Sequence, residues 1–153
     1  MKKSDMLHFN KILNELIDAP GANFAYAATI NKETMRKEIK AIEKAGEPSK
    51  DFVKYENERQ DLCKKMCRKD GEGKPVIKSN EYLIEDRPAF DKKLDKLKKT
   101  HKIVIDQRDK QIADVNKMLE EDITIGLKQI KLVDVPKNIT GRQMGVLVKM
   151  VKE

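Results

Sequence analysis

EDRPAFDKKLDKLKKTHKIVIDQRDKQIADVNKMLEED, residues 85–122, decides how this chain is organised. Asp86 is a good N-cap and Pro88 suits a first helical turn, where a missing N–H costs nothing. From there Phe90, Leu94, Leu97, His101, Val104, Arg108, Gln111, Val115 and Met118 recur at alternating steps of three and four, the a and d positions of a heptad. The pattern predicts one continuous helix over 86–120, about 35 residues or roughly 50 Å long. A helix with so narrow an apolar stripe cannot be buried alone, and it needs a partner of similar length.

Residues 22–69 supply that partner. Phe24, Ala28, Asn31, Met35, Ile39 and Ile42 define one amphipathic stretch, and Phe52, Tyr55, Arg59, Leu62 and Met66 a second. Gly46 and Pro48 kink the arm near 46–49, after which Ser49 offers a fresh cap. An antiparallel register sets Met66 against Phe90, Leu62 against Leu94 and Tyr55 near His101. Between the arms, Val76 to Lys78 and Tyr82 to Ile84 are β-prone runs around Ser79 and Asn80. They predict a small tip hairpin over 74–85 that must lean on the helix ends, since an isolated hairpin is marginal in water.

The remaining elements flank these arms. A first helix over 5–17 carries Leu7, Phe9, Ile12, Leu13, Leu16 and Ile17 and stops at Pro20 and Gly21. Alternation in ITIGLKQIKLV predicts a bulged strand or tight hairpin over 123–133, lying at the far end of the second arm from the tip. Such a strand either folds on itself or offers an open edge to another molecule, which implies a homo-oligomer or an adaptor. In NITGRQMGVLVKMVKE, Thr140 and Gln143 form a capping box and Ile139 and Met144 a hydrophobic staple, starting a helix over 140–152 with Leu147, Val148 and Val151 inward. The expected architecture is a single elongated, mainly α domain over residues 1–153: a long antiparallel helical hairpin (coiled coil) with a tip β-hairpin and a C-terminal strand-helix unit.

Composition agrees with long helices. Charged residues make up 39% and aromatics 5%, with no tryptophan, too few bulky apolar groups for a sandwich or a doubly wound sheet. A formal charge of +7 favours acidic partners, although acidic residues are interspersed almost throughout and a solvated lysine-rich surface has the same composition. Apolar runs fall well short of the roughly 20 residues that a membrane span needs. The opening residues mix Asp5, His8, Asn10, Lys11 and Glu15 into the apolar positions, which reads as a helix and not as a signal peptide. Two cysteines among abundant lysines suit a reducing compartment, and a cytoplasmic location is expected.

No stretch spells out catalytic chemistry. Cys63 and Cys67 are four residues apart near a helix end; zinc needs four ligands, and His8 and His101 are the only histidines. The pair also lacks the spacing and helix N-terminal position of a redox motif, so both read as packing residues. DGEGK at 70–74 matches neither a phosphate loop nor a calcium loop, which leaves a turn. No nucleophile with a base, carboxylate dyad or metal cluster emerges, so no catalytic residue, metal or cofactor is expected. Two candidate binding features remain. Lys92, Lys93, Lys96, Lys99 and Lys102 coat the outer faces of the second arm, either as a solvated exterior or as a stripe for phosphates or an acidic protein. No aromatic interleaves with them to stack on a base, so nucleic acid is not favoured. Arg59, His101, Arg108 and Gln111 interrupt the apolar seam, where unpartnered polar groups are costly. They either fix register or, when chains assemble, Tyr55, Arg59, His101 and Arg108 line a cationic pocket for a nucleotide or another anion.

NFAYAATINKETMRKEIKAI, DFVKYENERQDLCKKMCRKDGEGKPVI, EYLIEDRPAFDKKL and ITIGLKQIKLVDVPKNITGRQMGVLVKMV, taken in order, resemble the successive blocks of small helical proteins encoded by bacteriophages and prophages. That resemblance covers most of the chain and implies a role inside an infected host, while carrying over no functional residue. With the architecture, it leads to the expectation of a non-enzymatic accessory or anti-defence protein that blocks a host protein or sequesters an anionic nucleotide. A virion assembly factor or chaperone and a weak nucleic-acid binder are the alternatives.

Overall fold

The computed structural model describes residues 1–152. The chain is mainly helical with two small strand pairs. It divides into two compact units, one formed by Met1–Gly46 with the segment from Ala113 onward, the other by Glu47–Ile112.

The first unit is built on α1 (Lys3–Glu15) and α2 (Ala22–Gly46). Met6, Phe9, Ile12, Leu13 and Leu16 form the buried stripe of the first helical segment, and Phe24, Ala27, Ala28, Asn31, Met35 and Ile42 that of α2. The two alanines present little side chain to what packs on that turn. Gly21 between the helices sits at φ +120°, a conformation that side chains rarely adopt. α1 has no side-chain N-cap. Its entry is held instead by backbone: Lys3 N donates to Glu121 O, Ile123 N to Met1 O, and the Met1 ammonium to Ile123 O.

The C-terminal segment completes this unit. β3 (Ile130–Lys131) and β4 (Val151–Lys152) pair in parallel, joined through α6 (Gly141–Leu147). Thr140 Oγ1 accepts from Gln143 N while Gln143 Oε1 accepts from Thr140 N, the predicted capping box. Three expectations are corrected here. Helix 140–152 is only α6 followed by a 3₁₀ turn (Val148–Met150) and β4, in a run containing Gly145 and β-branched valines. Val148 is exposed, Val151 is half-buried, and Met150 joins Leu147 inside. Strand 123–133 shrinks to two residues paired with β4, although Ile123, Ile125 and Leu127 do turn one face onto the core. At Lys128 a side chain takes the place of a ladder neighbour, for Asn31 Oδ1 accepts from Lys128 N at 2.6 Å and Asn31 Nδ2 donates to Lys128 O at 3.1 Å, while Ile123 exchanges its backbone bonds with Met1.

The second unit contains α3 (Lys50–Met66), the hairpin of β1 (Ile77–Lys78) and β2 (Glu81–Tyr82), α4 (Arg87–Thr100) and the first part of α5 (Lys102–Glu120). Ser49 caps α3 and Asp86 caps α4, with Pro88 in its first turn, as the sequence predicts. Contacts between the helices run in opposite directions: Glu58 and Tyr55 meet His101, Phe52 meets Arg108, and Glu47 meets Gln111. Ile84, Cys67 and Phe90 form a small core with Leu62, Met66 and Leu94 against it. The hairpin turns at Ser79 and Asn80, both at positive φ, and rests on the end of α3 through Arg68 N to Leu83 O and Val76 N to Arg68 O. Residues 70–74 are a turn, with Asp70 Oδ1 accepting from Glu72 N and Lys74 N.

The continuous helix predicted over 86–120 is interrupted. At His101 the backbone leaves helical geometry (φ −105°, ψ 18°), separating α4 from α5. Thr100 Oγ1 donates back to Lys96 O there, and neither Thr nor His favours helix strongly, although Thr29 and Thr34 make the same bond within the unbroken α2. The stripe of α2, expected to continue the arm formed by α3, belongs to the core with α1 and the C-terminal segment.

Candidate functional site

In the Glu47–Ile112 unit, α3 and α4 enclose a groove of about 380 Å³. Leu62 and Leu97 form its apolar part, Lys65, Lys93 and Lys96 its cationic part, and Glu58, Asp61 and Thr100 complete the lining. Helical spacing explains the convergence, because Glu58, Asp61, Leu62 and Lys65 share one face of α3, and Lys93, Lys96, Leu97 and Thr100 one face of α4.

The charges in the groove are unequally committed. Glu58 Oε2 lies 2.8 Å from His101 Nε2, and Asp61 is 4.0 Å from Lys64. Among the described residues, no ion pair engages Lys65, Lys93 or Lys96. Both carboxylates thus have cationic or polar partners while three ammonium groups are left to solvent, an arrangement that attracts anions.

The predicted lysine stripe is exposed throughout. Lys93 and Lys96 enter the groove; Lys92 and Lys99 do not line it. Lys102 is held 2.8 Å from Asp106, whose hydrogen bond raises its pKa. The four residues expected to form a cationic pocket are only partly brought together. Tyr55 and His101 pack ring on ring at 5.4 Å. Burial is the main cause that raises the Tyr55 pKa. Arg59 turns to Glu56 on its own helix at 2.9 Å, and this hydrogen bond pushes its pKa up. Arg108 stacks 5.6 Å over Phe52 and donates to Gln111 Oε1. Cys67 is buried with its thiol donating to Lys64 O, consistent with packing, and no group of His, Cys, Asp and Glu suited to a metal occurs among the described residues.

A second basic cleft, in the unit formed by Met1–Gly46 and the segment from Ala113 onward, escapes sequence reasoning. Lys128, Lys131 and Lys152 line about 460 Å³ together with Tyr26, Asn23 and Asp134. Lys128 Nζ sits 5.7 Å from the Tyr26 ring centroid. Tyr26 and Asn23 lie about a hundred residues before the other groups along the chain, and only the parallel β3–β4 pairing puts Lys131 beside Lys152. The sole signal in the sequence was an aromatic on the polar side of the α2 stripe.

No family model, curated protein or solved structure matches this chain. Among the described residues, no helix is long and apolar enough to cross a membrane.

Proposed function

We propose that this is a non-enzymatic accessory protein of bacteriophage origin that blocks a host protein by covering an acidic patch on it. In this reading the Glu47–Ile112 unit works as a coiled-coil hairpin, and the groove between α3 and α4 is its contact surface. One observation carries the reading: Leu62 and Leu97 line a groove whose lysines have no ion-pair partner among the described residues, whereas its carboxylates have partners nearby. Apolar surface bordered by uncompensated cations complements a partner that offers acidic side chains around an apolar contact. The resemblance of the ordered sequence blocks to phage proteins is what supports looking for such a partner in an infected host.

The test is affinity capture from host lysate and from infected cells with wild-type protein and with Lys93→Glu/Lys96→Glu. The proposal expects one host protein to be enriched by the wild type and weakened about tenfold or more in the variant, with unchanged helical circular dichroism. Recovery of virion proteins would favour an assembly role. Equal capture by both proteins would remove the groove from the function.

A further inference from the structure

We propose that the cleft between α2 and the β3–β4 pair binds a nucleotide unit, with its base on Tyr26 and its phosphate among Lys128, Lys131 and Lys152. This site is separate from the α3–α4 groove and does not depend on it.

Three features of the cleft point to that chemistry. The first is charge placed at a cost. Lys131 and Lys152 are register partners across the parallel pair and line the same cleft, and like charges placed opposite one another oppose strand pairing. Lys128 adds a third cation, and none of the three has an ion-pair partner among the described residues. An anion between them relieves the repulsion.

The second feature is the ring. Tyr26 is 60% exposed, although it stands beside buried Ala27 on a helix whose other aromatic, Phe24, is fully inside. Lys128 Nζ stands over the ring at 5.7 Å, and an exposed aromatic beside cations is what base stacking uses, in a way that tolerates any base. A simple phosphate or an acidic peptide makes no use of such a ring. The third is Asp134, whose carboxylate accepts from Asn23 Nδ2 at 2.8 Å at the edge of the same cleft. A carboxylate there opposes a uniformly anionic ligand but accepts well from sugar hydroxyls. Stacking surface, hydroxyl acceptor and cations therefore occur together in a volume of the size that small-ligand sites have.

The nucleotide unit has two sources, a free nucleotide or one residue of a single strand. Fluorescence anisotropy with a fluorescein-labelled twelve-nucleotide oligo(U), and equilibrium dialysis with ATP, both at low salt, separate them. Retention of the oligonucleotide alone assigns single strands, and retention of ATP alone assigns a free nucleotide. Either result supports the site if Tyr26→Ala weakens binding roughly tenfold while Tyr26→Phe keeps it, and if Lys131→Gln weakens binding with a shallower salt dependence. Lys93→Glu/Lys96→Glu should bind as the wild type does. No retention of either probe, or affinities unmoved by Tyr26→Ala and Lys131→Gln, would overturn the proposal. All four variants alter exposed side chains, and unchanged thermal melts verify their fold.

Discussion

The two units hold themselves together by different means. In the unit containing α1 and α2, Met6, Phe9, Leu13, Phe24, Met35, Leu147 and Met150 come from three separated stretches of chain and are almost wholly removed from water. The Glu47–Ile112 unit has a seam instead. Its buried apolar residues are Tyr55, Cys67, Ile84 and Phe90, and α5 buries none of its side chains fully. Its helices rely more on capping at Ser49 and Asp86 and on polar contacts such as Glu58 to His101. A closed core built from distant segments fixes backbone in places where local sequence would not. A seam between neighbouring helices leaves most of its surface, including its lysines, facing solvent.

The largest test of this contrast compares equivalent truncations. Phe9→Ala should destabilise its unit by about 4 kcal/mol, because the cavity lies in a closed core. Phe90→Ala, in the seam, should cost roughly half as much, since water and neighbouring side chains refill the space. Urea denaturation followed by circular dichroism measures both, and equal losses would abolish the distinction.

A smaller effect sharpens it. Asn31 is fully buried and satisfies both backbone groups of Lys128. Asn31→Ala should cost about 2 kcal/mol and release the Lys128 amide to rapid hydrogen exchange, because a buried donor and acceptor lose their partner together. Exchange at Lys128 unchanged from the wild type would show that the extended segment is held some other way.

The smallest expected effect concerns pH. The Tyr55 pKa is raised, chiefly by burial and then by the Glu56 charge, with Arg59 opposing. A group whose folded pKa lies above its unfolded value contributes stability that is complete below the unfolded pKa, near 10 for tyrosine, and lost as pH rises through the folded value. The α3–α4 seam should therefore loosen in alkali, and Tyr55→Phe should remove that part of the alkaline transition in a pH titration of helical circular dichroism. An unaltered transition in the variant would assign it to other groups.

The difference between the units also explains what could be read in advance. Within Glu47–Ile112 the deciding signals are local: Ser49 and Asp86 as caps, Ser79 and Asn80 as a turn, and apolar steps of three and four along α3 and α4. Helix periodicity reports such contacts directly. It also extended one helix through His101, because a heptad count registers the spacing of side chains and not the backbone angles of a single residue. In the other unit the stripe of α2 was visible, but its partners were not. Asn31 was counted as one position of that stripe, with nothing local to show that Lys128 would bond to it, and the alternating run from Ile123 looked like a strand although Ile123 bonds to Met1 and Lys128 to the Asn31 side chain. The lysines of α4 were legible as a stripe because they follow one another on a single helix. Tyr26 beside Lys128, Lys131 and Lys152 was not, since no periodicity links residues so far apart.

By itself the sequence determined a predominantly helical chain, the start of each capped helix, the small β1–β2 hairpin and the excess of lysine, all of which depend on interactions within a few residues. Only the tertiary structure decided which stripe meets which, where the long helix breaks, and that three lysines share a cleft with an exposed tyrosine. Those outcomes rest on contacts between residues distant in the chain, whose energies local patterns do not encode.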